Sequence, residues 1–294
     1  IERIKDEQMA VHRYQWYNLP FDLTSEEVER LLYYKYSLVP FYDKTSEKFY
    51  LMPYALEGGI DFYGRYAQVH PVPISSGTDP NIDRLRNYLT TVKLKVLYDI
   101  PDQIFDEEKL KDFNPIDYTY ILRDYTPQLS QTDIPRAFLQ ESLIDLKSDL
   151  LPFMKTSLTN ATGIMGVRVQ NQDEASNVAA ANESLTDAAL NGKMFIPIVG
   201  QVEMQEMTGN GSLRSQEFLL ALQGIENYQK EIYGIGSNGL MQKASHMLAD
   251  EQAMNSTSGN SALEDGLMWR QWWCNMVNLL YGTSVWCDVG EIAM

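Results

Sequence analysis

The sequence has few of the residues that usually bind metals or act as nucleophiles. Its 294 residues include two cysteines and three histidines. Cys274 and Cys287 fit no metal-ligand spacing, and their aromatic surroundings favour buried free thiols over a disulfide. His12, His70 and His246 each lack a second ligand nearby. We therefore predict no metal site and no cofactor.

Catalytic signatures are absent as well. The chain contains no GxSxG, HExxH or P-loop pattern. One GxGxxG pattern occurs at Gly234, Gly236 and Gly239, but it follows a predicted helix, whereas a dinucleotide site needs a preceding strand. These glycines are better interpreted as a helix end, because glycine adopts the left-handed conformation that ends helices. The sequence therefore does not predict an enzyme.

The sequence also lacks long apolar runs and an excess of basic residues. No run approaches 18 apolar residues and no signal peptide is seen, so we expect a protein made soluble in the cytosol, without a membrane span. The chain begins at IERIKDE without a Met, as if entered within a helix. Its net charge is −16. Such a surface excludes tight binding of nucleic acid but not its passage, and solubility alone also explains it.

What is present predicts a mixed α and β chain with a real core, since 44% of residues are hydrophobic. We predict a helix over 1–18 and a second one over SEEVERLLYYKY, capped by Thr24 or Ser25. Short strands then follow in SLVPFYD, EKFYLMPYAL, GIDFYGRYAQVHPVP, KLKVLYDI and DYTYILRDY. The first 125 or so residues are therefore helical at the start and rich in β-structure afterwards.

Two long helices are predicted in the middle of the chain, over about 135–160 and 212–233. Asp133 is the expected N-cap of the first, Pro135 lies in its first turn, and Pro152 should kink or end it. An apolar stripe at helical spacing predicts that this helix packs along another one. Its members are Leu139, Leu143, Leu146, Leu150 and Phe153. Between the two helices, the strands GIMGVRVQ and KMFIPIVG, a short helix and a possible strand QVEMQEMTG predict a small α/β module.

A long segment of small and polar residues, 235–260, separates the second long helix from a last helix that begins at SALEDG. A loop of this length is usually either functional or disordered. In the last helix, Arg270 falls on one line with Leu263, Leu267, Cys274 and Val277. Trp269, Trp272 and Trp273 belong either to the core alone or to the core and a subunit interface.

The order of these elements, together with several short motifs, resembles the portal (head–tail connector or upper collar) protein of small short-tailed phages that prime DNA replication with a protein. The motifs are WYNLP, VPFYDKTSEKFYLMPYALEGGIDFYGRYAQVHPVP, NPIDY and YGIGSNGLMQKASHMLADEQAMNS. The resemblance covers most of the chain, and its specificity comes from order and spacing. The basic N-terminal extension of that family is absent from this sequence.

The resemblance implies an α+β subunit of a dodecameric ring. A wing, β-rich and SH3-like, would comprise 1–132 and 261–294. Stem helices would lie at 133–160 and 209–234, a small α/β clip at 161–208, and a channel loop at 235–260. Twelve acidic copies would line a bore with little affinity for phosphate. A poorly ordered surface loop is the alternative for 235–260.

The resemblance also nominates residues for each role. The channel-loop residues would be Ser237, Asn238, Gln242, Lys243, Ser245, His246, Gln252 and Asn255. A ring of basic charge in the bore would come from Arg214, Lys230 and Lys243, which are equally well interpreted as solvated surface residues. Clip contacts would involve Ile164, Val167, Arg168, Val169, Met194, Phe195 and Ile198, which are also suited to the core of the clip itself.

Partners follow from the resemblance too. They are further copies of the chain, major capsid and scaffolding proteins, a packaging ATPase, a lower collar or tail protein, and double-stranded DNA that passes without tight binding. The location would be the portal vertex of the virion, with the host cytoplasm during assembly. Two other hypotheses are another structural virion component, such as an adaptor or minor capsid protein, and a soluble α+β enzyme with a lid at 235–260.

Overall fold

A computed structural model describes residues 1–73, 89, 91–101, 113–127, 133–161, 165–167, 204–206, 215–235 and 249–290. The chain divides into two compact units. The first comprises Ile1–Lys147 together with Gln223–Met294, and the second comprises Ser148–Leu222. The three clusters of buried apolar side chains found in the described residues all belong to the first unit.

The described residues form helices and short strands in mixed order, which confirms the α+β prediction. The helices are α1 (Glu2–Val11), α2 (Ser25–Lys35), α3 (Arg136–Ala161), α4 (Ser215–Tyr233) and α5 (Ala249–Tyr281), with a 3-10 turn at Pro115–Asp117. The strands are β1 (Tyr14–Tyr17), β2 (Ser37–Asp43), β3 (Lys48–Met52), β4 (Tyr54–Leu56), β5 (Gln68–Pro71), β6 (Leu94–Val96), β7 (Tyr118–Thr119), β8 (Leu122–Arg123), β9 (Met165–Val167), β10 (Met204–Glu206) and β11 (Trp286–Val289).

The described strands of the first unit form three open sheets. One has the order β3-β2-β8, and another has the order β4-β5-β6-β7, in which the β6–β7 pair is parallel and the others are antiparallel. The third pairs β1 with β11, so that Trp16 lies opposite Cys287. Trp273 packs edge-on against Trp16 in the core between this sheet and α5. The SH3-like character expected of this part stays a prediction.

The start of α2 confirms the predicted cap. The Thr24 side chain accepts a hydrogen bond from the backbone N–H of Glu27, and the Glu27 carboxylate accepts one from the backbone N–H of Thr24. This reciprocal arrangement satisfies two donors that the helix itself leaves unpaired. The strand predicted at SLVPFYD is likewise present as β2.

The first predicted helix is wrong beyond Val11. The expected helix over 1–18 ends there, and Tyr14–Tyr17 form β1 instead. The sequence YQWY is aromatic, which suits a strand, and its partner β11 lies at the other end of the chain. Strand β11 supplies the backbone hydrogen bonds that a helix would otherwise have made within itself. The local sequence around Tyr14–Tyr17 does not reveal this distant strand.

The bounds of α3 and α5 also differ from the prediction. Helix α3 begins at Arg136 and continues through Pro152 to Ala161, so Pro152 does not end it. Asp133 accepts hydrogen bonds from Ser37 and Tyr54 instead of capping α3. Helix α5 begins at Ala249, so 249–260 are helical where a loop was predicted. The Ser, Asn and Gly residues there cost at most about 1 kcal/mol each in a helix, which a continuous packed helix can override.

In the second unit, β9 pairs with β10 in antiparallel register, with Met165 opposite Glu206. These strands coincide with the predicted GIMGVRVQ and QVEMQEMTG segments. The predicted helix after GIMGVRVQ and the strand KMFIPIVG lie outside the described residues.

Candidate subunit interface and channel residues

Most of the residues nominated for the channel and the clip lie outside the described residues. These are Ser237, Asn238, Gln242, Lys243, Ser245, His246, Arg214, Ile164, Arg168, Val169, Met194, Phe195 and Ile198. Val167 lies on β9, and Gln252 and Asn255 lie on the backbone of α5. Lys230 is half-buried on α4. The nominated set is therefore not brought together into a site that the structure describes.

Helix α3 instead displays a stripe of apolar side chains to solvent. In the first unit, Phe138 is 67% exposed, Leu139 is 46% exposed and Leu146 is 49% exposed. Leu143 is half-buried. Along the same helix, within the second unit, Phe153 is 61% exposed. The predicted stripe exists, and four of its side chains are half-buried or exposed to solvent within each unit: Leu139 and Leu146 are exposed, and Leu143 and Leu150 are half-buried.

The buried face of α3 is largely polar. Arg136, Gln140, Ile144 and Lys147 are buried, at spacings of four, four and three residues. An amphipathic helix in a monomer usually turns its apolar stripe inward and its charges outward. Here the arrangement is reversed within the first unit. Contiguous exposed apolar surface of this kind is typical of a surface that binds another protein.

A buried network of charges explains why the polar face of α3 is the inner one. At its centre, Arg270 of α5 donates two hydrogen bonds of 2.8 Å to the carboxylate of Glu29 on α2. The same guanidinium donates at 2.9 Å to a carboxylate oxygen of Asp124 and lies 4.0 Å above the Tyr14 ring. Bidentate contact and complete burial make this one of the stronger kinds of ion pair.

Asp124 connects Arg270 to two further arginines. Its carboxylate accepts a hydrogen bond of 2.7 Å from Arg136 on α3 and one of 3.0 Å from Arg13. Burial would raise the pKa of Asp124, but Arg136, Arg13 and Arg270 outweigh that effect and hold the pKa far below its usual range. The group is therefore an anion at any pH near neutrality, and it fixes α3 against the residues between α1 and β1.

A second buried cluster joins α1 to α3 and α4 within the first unit. Asp6 accepts hydrogen bonds from the hydroxyls of Tyr33 and Tyr233 at 2.7 and 2.8 Å, and from Gln229 at 3.2 Å. Burial raises the pKa of Asp6, although the hydrogen bonds from Tyr33 and Tyr233 oppose the rise. Lys147 pairs with Glu2 at 2.8 Å and donates to Gln229 at 3.0 Å. The first part of α3 is thus fixed through polar contacts.

Only part of this network could be found from sequence. Arg270 interrupts an apolar line, and a charge in such a line signals a buried ion pair. Glu29 and Asp124 carry no comparable signal, because they lie 241 and 146 residues from Arg270 in the chain. The exposure of the α3 stripe was also missed, since the spacing of apolar residues does not say whether the subunit or a partner covers them.

The described residues contain no group of His, Cys, Asp or Glu side chains that could hold a metal ion. Among the described helices, none has the length and apolar content needed to cross a bilayer. Cys274 and Cys287 are buried free thiols, as predicted. Two open clefts, of about 360 and 380 Å³, lie beside the four-stranded sheet.

Comparisons with known proteins gave matches among solved structures only. No protein-family profile and no curated protein sequence matches the chain. A chain from the portal and tail of native bacteriophage P68 is similar over 100% of this chain and 87% of its own length, with 13% identity and a TM-score of 0.43. A chain from the neck of an empty GTA particle, computed with C6 symmetry, is similar over 97% of this chain and 80% of its own length, with 10% identity and a TM-score of 0.49. At these identities and TM-scores, neither likeness assigns a function to this chain.

Proposed function

We propose that this chain is the subunit of a phage portal, a dodecameric ring at one vertex of the capsid. The ring would conduct double-stranded DNA during packaging and ejection and would connect the head to the tail. The sequence motifs and the helix–tip–helix order support the proposal. So does the structure of α3, whose buried Arg136 and Lys147 form ion pairs inside the subunit while residues of its apolar stripe face solvent.

The exposed stripe is the observation that carries the proposal. Leu139 and Leu146 stand one above the other on α3, and Phe138 lies beside them. Full burial of an exposed apolar side chain provides about 1.5–3 kcal/mol, and these partly exposed side chains forgo a share of that gain. In a ring, the stripe of each copy would contact a different surface of the neighbouring copy, because the contacts of a ring are head-to-tail.

The remaining roles follow from the resemblance. Within the proposal, 235–248 and the start of α5 approach the DNA. Arg214, Lys230 and Lys243 place basic charge at the bore, and the clip binds the packaging ATPase and later the tail protein. The ring itself carries no enzymatic activity, because the ATPase is a separate chain. An acidic subunit suits this role, since a wall with little affinity for phosphate lets DNA slide.

A pair of substitutions on α3 tests the assembly. The double variant Leu139→Gln/Leu146→Gln should retain a folded subunit, because both side chains are about half exposed, but it should fail to form rings. Sedimentation velocity reports the assembly, and circular dichroism reports the fold. The matched control is Asp145→Gln, which alters an exposed polar residue of the same helix and should assemble normally. Rings of unchanged stability in the double variant would contradict this role of the stripe.

The other virion hypothesis is an adaptor or minor capsid protein, which would assemble differently and whose segment 235–260 would not line a channel, so ring stoichiometry discriminates the two. An adaptor would join a ring made by another protein and would not close a ring alone. The enzyme hypothesis predicts a monomer that loses turnover when 238–256 is deleted. A portal subunit with the same deletion should still assemble and should lose DNA retention or passage.

A further inference from the structure

The hairpin between β4 and β5 extends beyond its sheet and ends in two exposed aromatic residues. Beyond the sheet, Ile60 forms a bridge with Tyr66, and the turn follows. At the turn, Phe62 is 97% exposed and Tyr63 is 71% exposed. A phenylalanine so exposed loses the whole benefit of burial unless a partner covers it.

This aromatic tip, Phe62 and Tyr63, is held in a defined conformation. The Asp61 carboxylate accepts hydrogen bonds of 2.8 Å from the backbone N–H groups of Tyr63 and Arg65, and another of 2.8 Å from the Arg65 side chain. Gly64 has φ +77°, which glycine adopts without strain. The Arg65 guanidinium also lies 4.7 Å from the centre of the Tyr98 ring. Because the tip is already ordered, binding through it costs little conformational entropy.

An open cleft of about 360 Å³ lies at the other end of the same sheet. Its walls come from the end of β2, the start of β6 and the 3-10 turn, namely Phe41, Tyr42, Lys44, Thr91, Val92, Lys93, Leu94, Ile116 and Asp117. The register places the tip and the cleft at opposite ends, since Gln68 lies opposite Lys95 and Val69 opposite Leu94. On the side of the tip, β6 ends at Val96, whose N–H donates to the Ala67 carbonyl. On the opposite side, residues 91–94 at the start of β6 line the cleft. The aromatic tip of a subunit therefore does not reach the cleft of the same subunit.

The chemistry of the cleft suits an aromatic pair. Tyr42, Val92 and Ile116 are half-buried and supply the apolar surface of the cleft, whereas Phe41 and Leu94 are buried. Lys44 is exposed at the cleft, where its ammonium can approach the face of an incoming ring. Asp117 provides an acceptor for a tyrosine hydroxyl, a partner that buried tyrosines usually need.

We propose that Phe62 and Tyr63 of each subunit insert into this cleft on the neighbouring copy of the chain. The contact would be head-to-tail, with different surfaces on the two partners, which is the type of interface that generates closed rings. The inference rests on the proposed ring, and it assigns that ring a second contact in the β-rich part, separate from the stripe on α3. Aromatic anchors in pockets commonly dominate the affinity of such interfaces.

Cysteine cross-linking tests the contact directly. The variants Phe62→Cys and Lys44→Cys, prepared separately and mixed under mild oxidation, should give a disulfide-linked pair on a non-reducing denaturing gel. The double variant Phe62→Cys/Lys44→Cys should give a ladder of linked subunits. The native thiols give no background, because burial raises the pKa of Cys274 to about 12 and raises that of Cys287 further. The matched control is the variant Tyr17→Cys, mixed with Lys44→Cys in the same way. Tyr17 is exposed on β1, and this mixture should give no linked pair.

Each result has a defined meaning. Linked pairs specific to position 62 support the contact. If rings form but no linked pairs appear, or if Tyr17→Cys gives as many linked pairs as Phe62→Cys, the proposed contact is overturned. The ring proposal would still stand in either case. If the unaltered chain forms no ring under native mass spectrometry, both proposals fail. As a second measurement, Phe62→Ala should raise the concentration at which rings half-dissociate by about tenfold or more, whereas Tyr17→Ala should not change it.

Discussion

Arg270 has no contact with solvent, yet every nitrogen of its guanidinium donates a hydrogen bond. It joins residues of α2, α5 and the segment after β8, and through Asp124 it reaches Arg136 on α3. Buried pairs of this kind add little stability relative to apolar substitutes, but they are costly to break. Their effect here is to fix which face of α3 turns inward.

Replacing Arg270 should therefore destabilise the subunit strongly. Arg270→Met leaves the Glu29 carboxylate buried without its charged partner, and we expect the free energy of unfolding to fall by about 3–5 kcal/mol. Urea denaturation followed by tryptophan fluorescence measures the change. The control Lys48→Met breaks an exposed pair with Asp22 and should leave the unfolding curve unchanged. A loss below about 1 kcal/mol for Arg270→Met would show that the network does not hold the unit together.

At the level of elements, local signals predicted local structure well. The cap at Thr24 and the strand at Ser37–Asp43 depend on neighbouring residues, and both were predictable. Strand β1 was missed because its partner β11 is about 270 residues further along the chain. The extension of α5 to Ala249 was missed because its composition resembles a loop. The α3 stripe was recognised as a stripe, but the burial of Arg136 and Lys147 opposite it depends on partners in other elements.

Substitution by alanine should change the stability of the protein in opposite directions at two helical glycines, Gly224 and Gly266. A Cβ at Gly266 on α5 would overlap the Tyr14 hydroxyl, which donates to Leu263 and is held under Arg270. At Gly224 on α4, a Cβ would meet nothing within 4 Å. Gly224→Ala should therefore stabilise the protein by up to about 1 kcal/mol through helix propensity.

Gly266→Ala gains the same helix propensity but must displace Tyr14, so its net effect should be destabilising by about 1–3 kcal/mol. Thermal unfolding of the two variants side by side gives the comparison. If Gly266→Ala were as stable as Gly224→Ala, the close packing of α5 on β1 would be disproved.

For the whole molecule, the first unit leaves uncovered both the stripe on α3 and the aromatic tip at Phe62 and Tyr63. A net charge of −16 per chain opposes unspecific association, so assembly needs specific apolar contacts that exceed this repulsion. Both surfaces fit a ring in which each copy covers its neighbour. In the proposed ring, these exposed residues would form the contacts between neighbouring copies.

Native mass spectrometry of the purified, unaltered chain, supported by negative-stain images, tests the ring claim most directly. The account predicts a species of about twelve times the 33.7 kDa chain mass, with a central hole. The ring should persist at micromolar concentration in mild buffer. A monomer or dimer under the same conditions would contradict the portal assignment and with it the proposed roles of the α3 stripe and the aromatic tip.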